Sequence, residues 1–353
     1  VSAHYDLRLS TPADRKALGD LYRAVYGDAW HEKARLEWYL DRPLAAAGAA
    51  MAVEGDVIAA AQPYCDLPLH TPWETTWVTL LLDVATHPAH RRRGLFRRVV
   101  AAARDAAFER GASIIMTTPN QTAFQGFQTM PGWGCLCWLD CLCLPLRADA
   151  RALNSGLIPL AAGAVFTVAS LFWKRAPART DGLGPPQYDV QSPWVPGPEA
   201  EALWSCAAHT GIMVMRNYAF LQWRFGADYR LFLAYDSHGP VGYAAARLVN
   251  RAGLSIGLIL DCMTSDNKTS ALPLLASVIG WLRQQGAVVA MGYFLHHSPP
   301  WQQARAAGFI RLPRPLVPRH YPVCASVQPD RPYSADLLNP ALWYMSLADS
   351  DLA

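Results

Sequence analysis

The sequence predicts an α/β fold built from two related halves. Three observations carry that expectation. An apolar, β-favouring run over residues 77–84 passes through His87-Pro88 into a basic glycine turn and an amphipathic helix. Segments of the first half recur, in the same order, in the second. The chain has 353 residues, 52% hydrophobic and 17% charged, which suits two ordinary domains with buried cores and excludes a disordered chain.

Taken in order, residues 5–10 read as a strand. Thr11-Pro12-Ala13-Asp14 then offers an N-cap, a proline at the first helical position and an acid in the first turn, so a helix runs on to Tyr26. A second helix near residues 32–40 carries Leu36, Trp38 and Tyr39. Residues 51–53 and 57–62 flank Glu54-Gly55-Asp56, a hairpin turn with glycine at its centre. The 77–84 strand follows. The helix after the basic turn starts at Leu95 and ends near Arg110, with Val99, Val100, Ala103 and Ala107 at helical spacing. Gly111 closes it, and residues 113–118 form a short buried strand.

A strand, a basic glycine turn and a helix together make a device for holding a pyrophosphate. The first N–H groups of a helix lack an internal partner, and the helix dipole is positive at that end. Gly94 lets the backbone approach an anion with no Cβ in the way, and Arg91, Arg92 and Arg93 add charge and forked donors. The plain alternative is a surface helix start with solvated arginines.

This stretch resembles the acyl-CoA motif of the GNAT superfamily, the N-acetyltransferases related to histone acetylases. That motif reads Gln/Arg-x-x-Gly-x-Gly/Ala after a strand, and here it stands as Arg91-Arg92-Arg93-Gly94-Leu95-Phe96, with Phe96 in place of a small residue. The resemblance implies a GNAT fold over residues 1–145, a mixed, mostly antiparallel sheet flanked by helices. It implies acetyl-CoA or another acyl-CoA as co-substrate, held by Val84, Ala85, Thr86, Arg91, Arg92, Arg93, Gly94, Leu95 and Phe96. Beyond the next strand it adds Asn120, Ala123 and Phe124, although Asn120 also reads as a helix N-cap. Relatives often carry a tyrosine acid some seven residues after that Asn; here Phe127 stands there and has no proton to give.

The usual base is missing too. The positions where relatives carry Glu or His fall on Leu80 and Leu82. Asp83 lies between them and points to the opposite face of a regular strand, unless a bulge re-aims it. Backbone N–H groups from Val84 to Thr86 remain to hold the thioester oxygen. Other candidates for proton transfer are His70, Glu74, Asp261, His296 and His297, the two histidines following the last core strand of the second half. The expected catalytic set is Asp83, His296 and His297. Arg216, Asn217 and Arg224, beside Trp223, read either as a site for an anionic acceptor or as a solvated helix face.

The second half repeats the first. Ala219-Phe220-Leu221-Gln222-Trp223 echoes Ala34-Arg35-Leu36-Glu37-Trp38, and Gly239-Pro240-Val241-Gly242-Tyr243 echoes Gly55-Asp56-Val57-Ile58-Ala59. A strand (254–263), a helix (271–285) and a strand (287–294) follow, the same core again. Its turn, Thr264-Ser265-Asp266-Asn267-Lys268-Thr269-Ser270, has no glycine and only one cation, so this half reads as a degenerate copy that holds CoA poorly. The expected organisation is a GNAT domain (1–150), a hydrophobic helix and a Pro/Gly-rich linker (151–198), a degenerate GNAT-like domain (199–330) and a tail (331–353).

Residues 153–173 carry no charge; they read as a helix buried between domains, with a membrane-surface helix or a span as alternatives. Cys135, Cys137, Cys141 and Cys143 alternate, which puts them on one face of a strand as reduced, buried side chains rather than a zinc knuckle. No metal site is expected. With no secretory signal at the start of the sequence, the expected compartment is the cytoplasm. A net charge of +3, concentrated locally, argues against nucleic acid as partner. The function expected is transfer of an acetyl or short acyl group from acyl-CoA to a small amine, an amino sugar or sugar nucleotide being the preferred acceptor. A peptide or protein amine, and a non-catalytic acyl-CoA-binding protein, are the alternatives.

Overall fold

The computed structural model describes residues 4–27, 36–41, 43–147, 188–207, 211–251, 253–265 and 269–350. The apolar run 153–173 lies outside them, as do residues 32–35 of the expected second helix and residues 266–268 of the second turn. The chain forms two compact units. The first comprises Val1–Leu136, Ile212–Met215 and Pro322–Leu342, the second Cys137–Gly211, Arg216–Tyr321 and Trp343–Ala353.

In the first unit, β1 (Asp6–Leu9) pairs antiparallel with β2 (Ala47–Glu54), β2 with β3 (Val57–His70), and β3 with β4 (Thr75–Leu81). The β2–β3 hairpin turns at Gly55, whose φ of +60° is cheap only without a Cβ. Helix α1 (Arg15–Tyr26) connects β1 to this sheet. Leu36 and a π-turn, Glu37–Asp41, are what the structure describes of the expected second helix. After β4 come the two-residue strand β5 (Ala85–Thr86), the helix α2 (Leu95–Glu109) and β6 (Ala112–Thr117), which runs parallel to β4.

Helix α2 buries Leu95, Val99, Val100, Ala103 and Ala107 on one stripe, the four positions expected from spacing among them. The stripe meets Ala50 and Ala52 of β2 and Ala59 and Ala60 of β3. Those strand alanines give the helix room to lie close to the sheet. Full burial of each of Leu95, Val99 and Val100 stabilises by roughly 1.5–3 kcal/mol. Helix α3 (Gln121–Gln128) follows β6.

The second unit repeats the order. Its strands are β7 (Gly134–Pro145, entering at Cys137), β8 (Asp189–Gln191), β10 (Arg230–Asp236), β11 (Gly239–Arg251), β12 (Leu254–Thr264) and β13 (Val289–Leu295). They lie in the order β7-β13-β12-β11-β10-β8, with only β12 and β13 parallel. Asp189–Gln191, in the stretch read as linker, pairs with β10 as the edge strand. Helices α4 (Pro198–Cys206), α5 (Tyr218–Arg224), α6 (Leu272–Gln284) and α7 (Pro299–Ala306) complete the unit. The short β9 (Met213–Val214) pairs with β3 in the first unit, and β14 (Ile310–Arg311) with β7 in the second.

Each unit borrows from the other half of the sequence. The last strand of the first half, β7, lies beside β13, whereas the last strand of the second half, β15 (Tyr321–Val327), lies beside β6 in the first unit. On β7 the cysteines are not uniformly buried: Cys137, Cys141 and Cys143 are, but Cys135, at the strand's start, is exposed. Leu142 and Leu144 are buried as well, so both faces of the strand are covered there. Desolvation pushes the Cys141 thiol up to about 12 and raises Cys143 as well, keeping both neutral. Among the described residues no helix is long and apolar enough to cross a membrane, and no group of three or more His, Cys, Asp or Glu is placed to hold a metal.

Candidate active site

The site grows out of a fault in the sheet. The strand expected over 77–84 stops at Leu81, and β5 starts at Ala85. Leu81 pairs with Tyr64 and Ala85 with Ala61, so three residues (82–84) face two on β3. This is a β-bulge, the feature that re-aims a side chain beside a functional site. Asp83 occupies it with φ +29°, a left-handed conformation that costs a non-glycine residue of order 1 kcal/mol. The expectation of a regular strand through Asp83 is therefore corrected.

Side chains from three elements hold the bulge. Gln62, buried on β3, donates from Nε2 to the Leu82 carbonyl at 2.7 Å. Tyr22 and Tyr26, one turn apart on α1, donate to the carbonyls of Asp83 (2.8 Å) and Val84 (3.1 Å). Tyr39, fully buried, points its hydroxyl at Asp83 Oδ2, 3.4 Å away. These residues escaped the sequence reading. The i, i+4 tyrosine pair was the one available signal, and nothing in sequence ties it to residues 83 and 84.

Past the bulge the backbone opens. His87 N–H donates to Ala59 O, and by antiparallel alternation Thr86, opposite Ala60, turns its N–H away from β3. A short 3-10 turn, Pro88–His90, leads into the basic loop. Arg92 (φ +63°) and Gly94 (φ +73°) are both left-handed, and Gly94 is the N-cap of α2. Alternating handedness of this kind turns successive N–H groups inward into an anion-binding concavity. The first rung of α2 is Arg98 N–H to Gly94 O, so the N–H groups of Leu95, Phe96 and Arg97 precede the ladder. Arg91, Arg92, Arg93 and Gly94 are exposed. Arg93 is steered by Tyr5, whose hydroxyl accepts from it at 2.7 Å and lies 3.0 Å from His90 Nδ1. Arg91 Nε lies 3.4 Å from Thr86 O.

Phe96 fits where the motif wants a small residue because its ring turns inward. It packs edge-on to Phe127 at 5.3 Å and lies against Gly126, where an added Cβ would come within 2.7 Å of the ring. Phe127 itself is buried against Trp133 at 4.7 Å and is a core residue. Asn120 caps α3, its Oδ1 accepting from Ala123 N–H at 2.9 Å. Of its two readings, the N-cap is the one the geometry displays. Phe124 and Ala123 pack against the same core from α3.

The remaining candidates fall elsewhere. Leu80 and Leu82 are buried. His70 ends β3, opposite Thr75 and Met213, and Glu74 is paired with Arg331 at 2.9 Å. His296 and His297 belong to the second unit, on the turn between β13 and α7. His296 Nδ1 sits 2.5 Å from Asp140 Oδ2, which also accepts from Trp301 Nε1 at 3.0 Å, while Arg311 pairs with Asp140 Oδ1 at 2.9 Å. His297 is left-handed at φ +61°. Neither reading of Arg216 and Arg224 survives. Both are buried rather than solvated, Arg216 between Asp261 (2.9 Å) and Asp349 (2.7 Å), and so neither is open to an acceptor. Asn217 caps α5 through Phe220 N–H.

Residues 6–134 match the family model of the acetyltransferase (GNAT) domain. In fold, the chain is similar to a GCN5-related N-acetyltransferase from Anabaena variabilis, with a TM-score of 0.63 at 10% identity over 92% of this chain and 73% of that one. It is also similar to a GCN5-related N-acetyltransferase from Kribbella flavida (TM-score 0.57, 12% identity, 92% and 71% covered). A tandem GNAT protein from the clavulanic acid biosynthesis pathway gives a TM-score of 0.55 at 14% identity, with 93% of this chain and 100% of that one covered. No curated protein matches the chain in sequence.

Proposed function

We propose, on the premise that this chain belongs to the GNAT acyltransferases in their tandem form, that its first unit transfers an acyl group from acyl-CoA to the amine of a small acceptor. The single observation that carries this reading is the bulge-and-loop geometry from Asp83 to Arg97. There the outward Thr86 N–H is followed by a left-handed, arginine-flanked helix start whose first three N–H groups precede the helical ladder.

In this reading the CoA diphosphate rests on the N–H groups of residues 92–97 with Arg91, Arg92 and Arg93 around it. The pantetheine arm runs along Val84, Ala85 and Thr86. The thioester carbonyl accepts from main-chain N–H groups beside the bulge, which stabilise the oxyanion as the amine nitrogen attacks. The C–N bond forms and the C–S bond then breaks. Asp83, aimed by the bulge and held by Tyr39, takes the proton that the nitrogen sheds. With Phe127 in the core, the departing thiolate takes its proton from solvent. Much of the rate enhancement then comes from approximation. For the acceptor, the narrower proposal is an amino sugar. The half-buried Trp38 and exposed Tyr26 offer ring faces of the kind that stack on a polar ring. A compartment in the cytoplasm fits the reduced cysteines.

The experiments are direct. Acyl-CoA should raise the melting temperature by mass action, by an amount set by RT ln(1 + [L]/Kd). Arg91→Ala with Arg93→Ala should reduce that shift several-fold, and an undiminished shift would count against the diphosphate assignment. Release of CoA thiol over a panel of amino sugars, amino acids and peptides then reports the acceptor. Turnover confined to peptides would replace the amino-sugar proposal, and no turnover at all would leave a binding protein. Asp83→Asn in the same assay tests the base.

A further inference from the structure

We infer that the acyl-CoA slot of the second unit is permanently filled by the chain's own C-terminal segment, residues 343–350. One chain therefore takes up one acyl-CoA, in the first unit. The count of one rests on the reading of the first unit given above; the filling of the second slot does not.

The slot is recognisable by register. In the first unit Ala61 faces Ala85 and Ala60 faces Thr86, just past the bulge. In the second, Ala246 faces Ile259 and Ala245 faces Asp261, leaving Leu260 as the extra residue, and Ala244 faces Cys262. Cys262 therefore stands where Thr86 stands. Strands β12 and β13 pair in parallel only from Ile256 and Val289 to Ile259 and Gly292. Beyond that they part, as β4 and β6 do after Leu80 and Met116.

The tail lies in that gap and touches both of its walls. On the β13 side, Leu295 N–H donates to Met345 O at 3.1 Å, and Ser346 bridges antiparallel to Phe294. On the β12 side, Tyr344 donates its hydroxyl to Asp261 Oδ1 at 2.6 Å and lies 3.1 Å from Cys262 O. This is the course proposed for the pantetheine arm in the first unit, here taken by peptide. The donor equivalent to Thr86 N–H is also used up, because Cys262 N–H meets Asp261 Oδ1 at 3.0 Å. Next along the chain, residues 264–270 contain no glycine and no arginine.

The tail is fixed rather than resting. Arg216, fully buried, joins Asp261 of the strand to Asp349 of the tail. Arg224 reaches the carbonyls of Ala348 (2.8 Å) and Ser350 (3.0 Å). Withdrawing the tail would strip Arg216 of one of its two carboxylates inside the protein, a state that buried charges strongly disfavour. This sets the tail apart from a lid.

Hydrogen exchange on the full chain, with and without coenzyme A, tests the inference, together with the calorimetric stoichiometry of coenzyme A. Peptides covering 343–350 should exchange orders of magnitude more slowly than unstructured chain without ligand. Coenzyme A should slow exchange over residues 82–97, leave 256–264, 292–296 and 343–350 unchanged, and bind at one per chain. Two sites per chain, coenzyme A protection at 256–264, or a tail exchanging as fast as unstructured chain would each overturn it. A slowly exchanging tail with no coenzyme A protection at 82–97 would support the filled slot while refuting the proposed function of the first unit.

Discussion

The proposed proton transfer turns on Asp83, whose backbone is as informative as its carboxylate. Only the bulge explains a left-handed aspartate in the middle of a sheet. Asn tolerates that conformation nearly as well as Asp, so Asp83→Asn removes the charge while sparing the fold. If Asp83 is the base, kcat should fall on the order of 10²-fold with little change in the binding of acyl-CoA, since general acid–base catalysis contributes that much or more. An unchanged kcat removes Asp83 from the mechanism. Tyr5 makes a quieter prediction. Its hydroxyl fixes Arg93 at the mouth of the loop. Tyr5→Phe should weaken acyl-CoA binding about fivefold, the equivalent of roughly 1 kcal/mol for one hydrogen bond, without altering kcat. A titration of coenzyme A against both proteins reads this directly, and equal affinities would show that Arg93 needs no such anchor.

At the scale of elements, α2 and α3 explain why a bulky residue survives in the loop motif. Phe96 needs the space that Gly126 leaves. Gly126→Ala should therefore cost stability by overpacking, typically 1–3 kcal/mol, even though alanine is the better helix former. A denaturant titration in which Gly126→Ala is as stable as the parent would mean that the ring has another place to go. This pair also marks how far sequence reached. The α2 stripe, the Gly55 hairpin and the arginine–glycine loop were legible because each is a local pattern of spacing or of special φ. The bulge at residues 82–84 was foreseen only as an option, because its cause is spread over Gln62, Tyr22, Tyr26 and Tyr39 on other elements. The fates of Arg216 and Arg224 were illegible for the same reason: their partners, Asp349 and the carbonyls of Ala348 and Ser350, lie more than a hundred residues along the chain. The exchange of β7 and β15 left no local trace either, since a strand's pattern tells which faces it buries but not which neighbour it pairs with.

For the whole molecule, the burial of thiols and phenols, concentrated in the second unit, predicts a response to alkali. Desolvation pushes Cys141 up to about 12 and raises Cys143 and Cys262 as well. It also raises Tyr188, Tyr243, Tyr293 and Tyr344. In the unfolded chain a thiol ionises near pH 8.5 and a phenol near 10. Above those values the unfolded chain gives up protons that the folded chain keeps. The unfolded state then gains, and stability falls as pH rises, the loss continuing until the folded groups themselves ionise. For a fully buried thiol the slope approaches about 1.4 kcal/mol per pH unit. Stability measured by urea unfolding should therefore be flat from pH 7 to about 8 and decline above it, with the decline starting at thiol rather than phenol values. Cys141→Ala will lower stability at pH 7 by leaving a small void, but the gap between variant and parent should narrow steadily from pH 9 to 11, because the variant has one fewer proton to defend. Parallel curves across that range would show that Cys141 ionises as readily in the fold as out of it, which its burial on β7 forbids.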